Sequence, residues 1–210
     1  MFPKNRTVLS SLLILVFGVV LFYIGTDGFQ AFTAETARIN QLMDDKPQFP
    51  DVTLEDNNGR IFSFSEFEEK YVFITFLYTS CGTVCPELEV NMSEVYKRTP
   101  EEYIGNDIQF LSISFDPERD DPETLDTYRK AFGSDGETWR MARIPDQQEL
   151  KSLLDGFGVV VIPDEYGNFA HNSAFYLVNP KGQLVEVMDY TLIEEAADRV
   201  TEILQSGGEK

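Results

Sequence analysis

The apolar positions of this 210-residue chain change their spacing along its length, and each spacing implies a different element. From Thr7 to Thr26 no residue is charged, and Val8–Ile24 reads VLSSLLILVFGVVLFYI. At about 1.5 Å rise per residue, about 20 such residues match a hydrocarbon layer about 30 Å thick, so one transmembrane helix is expected. A short helix is expected next, around Ala34–Leu42. Val52–Glu55 and Ile61–Phe64 flank Asn57-Asn58-Gly59, and an Asn-Gly step tolerates the positive φ of a tight hairpin turn. Ser65-Glu-Phe-Glu68 reads as a capping box for a single helical turn. Tyr71–Tyr78 is nearly continuous in apolar and β-branched residues, as a strand buried on both faces requires, and Ile108–Phe115 is a second such strand.

Between and after these strands the period becomes helical. Pro86 suits a first helical turn, and Leu88, Met92, Val95 and Tyr96 then fall on one face. Asp121-Pro122 opens a helix with Leu125, Tyr128 and Phe132 inward and Gly133 as its stop. Asp146-Gln-Gln-Glu149 reads as another capping box, for a helix closed by Gly156 or Gly158. Ser173–Val178 and Leu184–Met188 form a second hairpin about Asn179–Gly182, and Thr191–Gln205 is the final helix. The order is β-hairpin, β, α, β, α, α, β-hairpin, α. Two βα units, an antiparallel pair and a last helix make an α/β, thioredoxin-like fold with an N-terminal β-hairpin, preceded by one transmembrane helix. Three parts are expected: residues 1–26 as cytoplasmic N-terminus and anchor, 27–47 as juxtamembrane spacer, and 48–210 as the folded domain.

Charge adds direction. Lys4 and Arg6 precede the uncharged span while Asp27 and Glu35 follow it, so the positive-inside rule puts the N-terminus in the cytoplasm and the domain outside. A cleaved signal peptide is the rival reading, but the run is long for one, and the sites around Ala31 and Ala34 are not a clean A-x-A. No cysteine follows the run, so lipoprotein processing has no acceptor. The balance of 17 basic against 36 acidic residues, a net charge of −19, repels nucleic acid. That acidity keeps a domain soluble, and it would also attract a basic partner surface such as a cytochrome or assembly factor; composition leaves both open.

The chain has only two cysteines, Cys81 and Cys85, and they form C-x-x-x-C where a central strand hands over to a helix. A structural disulfide there would close too short a loop to remove much unfolded-state entropy. A helix N-terminus instead stabilises a thiolate, which favours a reactive or metal-binding pair. His171, the only histidine, directly precedes the Ser173–Val178 strand, whose start in this fold lies beside the dithiol helix. Two thiolates and an imidazole suit Cu(I) in three-coordination, and hold Cu(II) once oxygen ligands are added. Zinc accepts the same donors but usually takes four.

FLYTSCGTVCPELEVNM, SISFDPERDDPETLDTY and HNSAFYLVNPKGQLVEV resemble, in order and spacing, the three signature blocks of the Sco/SenC family. The resemblance spans the chain from about Gln48 to the last helix. It implies a membrane-anchored, thioredoxin-fold copper protein that helps to assemble the dinuclear CuA centre of cytochrome c oxidase. Its implied partners are the oxidase's copper-bearing subunit and another copper chaperone or a thiol reductant. Cys81 and Cys85 match the family's copper thiolates and His171 its imidazole ligand. Asp116 matches an acidic residue associated with Cu(II) binding, and also reads as a plain turn residue. Trp139 matches an aromatic position near the family's site, and also reads as a core aromatic. Gly82-Thr83 stands where most members carry Pro-Asp, and Ala170 stands where an Asp often precedes the histidine. Those departures bear on copper affinity and potential, since the ligands themselves remain. Two activities remain in view: copper delivery, and thiol–disulfide exchange that keeps the oxidase's cysteines reduced. A thiol peroxidase is set aside, because Tyr78 stands where such enzymes carry Thr or Ser.

Overall fold

The computed structural model describes residues 4–26 and 33–207. Asp27, Ala31, part of the expected spacer and residues 208–210 lie outside the described residues. The chain divides into two compact units, Met1–Asp44 and Asp45–Lys210. The first contains helix α1 (Lys4–Gly25) and most of α2 (Ala34–Asp45). Within α1, Val8–Gly25 is long and apolar enough to cross a membrane, with a mean hydropathy of 2.6.

The second unit is built on a seven-stranded sheet of order β2-β1-β5-β4-β3-β8-β9. Its strands are β1 (Thr53–Asp56), β2 (Ile61–Ser63), β3 (Tyr71–Leu77), β4 (Ile108–Ser114), β5 (Trp139–Arg143), β8 (Phe175–Val178) and β9 (Leu184–Met188). A separate two-stranded hairpin is formed by β6 (Val161–Pro163) and β7 (Phe169–His171). The helices are α3 (Val84–Arg98), α4 (Pro122–Phe132), α5 (Gln147–Gly156) and α6 (Ile193–Gln205).

β3 and β4 run parallel, with Tyr71 opposite Ile108 and Leu77 opposite Ser114, and every residue of both is buried. Alternate side chains therefore serve two cores. Phe73, Phe110, Met141 and Phe175 pack with Leu88, Met92 and Val95 of α3 and with Ala197 and Val200 of α6. On the opposite face Phe76 and Tyr176 meet Phe157, just beyond α5. β8 closes on β3 antiparallel, with Phe73 opposite Leu177. The β1–β2 turn is the expected one, with Gly59 at φ 73°.

Several expectations need correction. Trp139–Arg143 is a central strand: β5 joins β4 in parallel and β1 in antiparallel register, so a second parallel crossover runs through α4. Two arginines and only five residues hide it from a periodicity search. Ser65–Glu68 does not cap a helix. The turn there is a 3-10 helix over Phe64–Phe67 whose N-cap is Ser63, and Ser65 Oγ lies 2.6 Å from Ser63 Oγ. At α5 only half of the box forms. Asp146 accepts from the amides of Gln148 and Glu149, while the Glu149 carboxylate accepts from the Thr53 amide. α5 ends at Phe157 as its C-cap. Finally, the stretch before His171, which the expected order of elements leaves without a strand, is the β6–β7 hairpin.

Candidate metal centre

The chemistry sits at the C-terminal ends of the parallel strands β3 and β4, where the loops of an open α/β sheet converge. Residues 78–83 carry the chain from β3 into α3. Cys81 stands ahead of the helix and Cys85 is its second residue, one position before Pro86, whose missing N–H costs nothing in a first turn. The Cys85 amide donates to Cys81 Sγ at 3.4 Å, and Thr83 Oγ1 lies 3.9 Å from the same sulfur. Both thiols are free and buried.

The two sulfurs differ. Burial alone would raise the Cys81 pKa, but the amides of Cys85 and Thr83 outweigh it and hold the thiol below its ordinary value. Cys85 is fully buried, and that burial pushes its pKa far up; Cys81 and the carboxyl of Glu89 add to the rise. Cys81 is therefore the readily ionised sulfur and Cys85 its protonated partner.

His171 reaches the pair from the last position of β7. Its Nε2 lies 3.4 Å from Cys85 Sγ, and its Nδ1 lies 3.1 Å from the Asn172 carbonyl oxygen. A carbonyl can only accept, so Nδ1 carries the proton and the Nε2 lone pair faces the sulfur. Burial lowers the imidazole pKa, outweighing the opposing pull of the Asn172 carbonyl, and so favours the neutral ring. Sγ of Cys81, Sγ of Cys85 and an imidazole nitrogen of His171 all lie within 4.8 Å of one another. Three converging donors, two of them soft sulfurs, fit a thiophilic ion.

Asp116 directs its carboxylate to Arg119 Nε, and its own carbonyl accepts from the amides of Arg119 and Asp120. Burial raises its pKa against the pull of the guanidinium. Trp139 is fully buried at the start of β5, opposite Phe110, and its Nε1 donates to Ser112 Oγ.

Residues the sequence reading passed over surround His171. Phe115 meets the imidazole at 5.0 Å between ring centroids and Tyr78 at 6.4 Å, both edge-on. Beneath Cys85, one helical turn on, Glu89 is fully buried with Oε2 accepting from Ser112 Oγ. A carboxylate at i+4 from a cysteine on an inward helical face was a signal available in the sequence; aromatic rings meeting from three separate segments were not.

The SCO1/SenC family model matches residues 42–205. The SCO1 protein homolog of Bacillus subtilis (strain 168) is 28% identical over 144 residues, which cover 68% of this chain and 72% of that protein. The crystal structure of a SCO1/SenC family lipoprotein from Bacillus anthracis superposes with a TM-score of 0.68 at 25% identity, covering 76% of this chain and 96% of that one. The structure of Bradyrhizobium japonicum ScoI with copper bound superposes with a TM-score of 0.61 at 25% identity, covering 74% and 98%. The fold and the family match agree, and the chain belongs to the SCO1/SenC family.

Proposed function

We propose that this protein is a copper metallochaperone that helps to assemble the CuA centre of cytochrome c oxidase, holding copper as cargo through Cys81, Cys85 and His171. The observation that carries the reading is the convergence of those three donors within 4.8 Å, with a lone pair of His171 already turned to the dithiol. Family membership and the copper-bound ScoI of similar fold support the choice of metal. α1 anchors the domain with the N-terminus in the cytoplasm and the site outside, as Lys4 and Arg6 ahead of the span imply. The copper-bearing oxidase subunit is the recipient.

A second activity has its own support in the unequal thiols. An ionised Cys81 can attack a partner's disulfide, and Cys85 then displaces the partner's second sulfur. One disulfide forms on this chain as one breaks on the partner, and two protons and two electrons move to the partner's dithiol. Copper capture and this exchange exclude each other, because a disulfide has no thiolate to offer.

The deciding measurement is copper titration of the full-length protein in detergent, reduced and oxidised. The reduced form should take up one equivalent, and a Cys81–Cys85 disulfide should weaken binding at least ~100-fold until reductant restores it. Equal uptake by both forms would place the metal elsewhere.

A further inference from the structure

His171 stands on a hairpin that, among the described residues, joins no larger sheet: β6 pairs there with β7 alone. A single two-stranded hairpin is marginally stable in water at best. Side chains must therefore tie this one down if its last residue is to meet the dithiol. One tie is Asn172, which accepts from the Val160 amide and donates to the Gly158 carbonyl, closing the base of the hairpin. The other lies across β7, and Arg119 is at its centre.

Arg119 comes from the turn after β4. Its Nε is paired with Asp116, a carboxylate that is only 8% exposed. Its guanidinium carbon stands 5.4 Å from the centre of the Phe169 ring and 5.9 Å from that of Tyr78. Phe169 is on β7, two residues before His171, while Tyr78 follows β3. The two are themselves edge to face at 5.1 Å, and the Phe169 amide donates to Tyr78 Oη at 3.3 Å. The guanidinium also lies against Gly167, at φ 81° in the hairpin turn, where a Cβ would sit 3.7 Å from Nη1. One planar cation thus touches the turn and strand β7 of the hairpin from the end of the main sheet. A guanidinium does this as an ammonium cannot, because it can pair with a carboxylate along one edge while presenting its face to aromatic rings.

We propose that Arg119 is a positioning residue that holds the β6–β7 hairpin down, so that His171 stays over Cys81 and Cys85. Asp116 supports the site through Arg119, by fixing the guanidinium, and needs no bond to the metal to do so. The copper consequence rests on the metallochaperone reading; the effect on the hairpin does not.

The test uses the full-length protein in detergent, as Arg119→Met, which keeps a long apolar stem and removes the cation. In the reduced, metal-free variant, amides of residues 160–171 should exchange about tenfold faster, as loss of a contact worth about 1.4 kcal/mol implies, with β3 and β4 unchanged. Cu(I) affinity, measured by competition with a chelator, should fall about tenfold, and the Cu(II) spectrum should move toward that of His171→Ala. Added to His171→Ala, Arg119→Met should cost nothing more, since a positioning residue has nothing left to position. Phe169→Leu removes the same contact from the other side and should release the same amides, which keeps the test decisive if Arg119→Met disturbs β4. Unchanged exchange at 160–171 in both variants overturns the clamp. So does a further loss of Cu(I) affinity in the double variant. If His171→Ala itself binds copper like the parent, the ligand assignment fails, while amide exchange still decides the clamp.

Discussion

Glu89 is a carboxyl held in a place that suits only its neutral form. It is fully buried on α3, Ser112 donates to one oxygen, and Oε1 has no hydrogen-bond partner. Burial raises its pKa to about 8, against 4.5 for an ordinary glutamate, and the Ser112 hydrogen bond offsets only part of that. The sign follows directly. Below pH 4.5 both folded and unfolded chains hold the proton. Between 4.5 and about 8 the unfolded chain releases it and the folded chain does not, so stability falls by about 1.4 kcal/mol per pH unit. Glu89→Gln, which cannot ionise, should match the parent near pH 4.5 and exceed it by several kcal/mol at pH 8. Urea unfolding at a series of pH values reads the gap, and parallel curves would show that Glu89 is already ionised in the folded protein. The same residue scale shows why His171 was legible and its surroundings were not. A single histidine beside a strand start is a local fact, whereas Phe115, Phe169 and Tyr78 come together only through the sheet.

At the scale of elements, strands buried on both faces announce themselves. β3 and β4 could be read directly, because a continuous apolar run has few other uses. β5 could not, since its arginines are accommodated by partners distant in sequence: Arg143 pairs with Glu55 and Arg140 with Glu66. The β6–β7 hairpin was hidden for a related reason. Its outer positions, Ile162 among them, are exposed, and its order depends on side chains from other elements. Caps were legible as types but not as pairings, as Glu149 turning to Thr53 shows. The turn between β3 and α3 likewise takes its shape from beyond itself. Asp120, buried after β4, accepts from the Thr79 amide, from Thr79 Oγ1 and from Ser114 Oγ. Three donors on one carboxylate stitch the dithiol segment to the end of β4. Removing it in Asp120→Ala leaves buried donors unmatched and should cost about 2–4 kcal/mol, seen as a lower urea midpoint at constant m-value. A cost under ~0.5 kcal/mol would mean that water or neighbouring groups replace the carboxylate without difficulty.

For the whole molecule the two proposed jobs of the dithiol, delivery and reduction, are separated by His171. Disulfide exchange consumes two sulfurs and asks nothing of an imidazole, so in His171→Ala the Cys81 sulfur keeps the amides that favour its thiolate. Under the proposed ligand set copper, by contrast, would lose one of three donors, and with it the geometry that distinguishes a built site from two neighbouring thiols. Folding should survive the change, because His171 lies on the small hairpin and outside the main core. The apolar helix α1 is also untouched, so the variant should be placed in the cell as the parent is, at the same level. Under the delivery reading, cells carrying His171→Ala should then fail to load the oxidase's copper centre, to the same extent as cells carrying Cys81→Ser. Under the reductase reading, only Cys81→Ser fails. The measurement is oxidase activity together with the copper content of the purified oxidase, at matched levels of the variant proteins. Added copper sharpens it, since a weakened carrier is rescued by excess metal and a missing reductant is not. Failure of both variants, with His171→Ala rescued by copper, is the expected result. Normal oxidase in His171→Ala beside a defective Cys81→Ser would leave thiol exchange as the function of the pair.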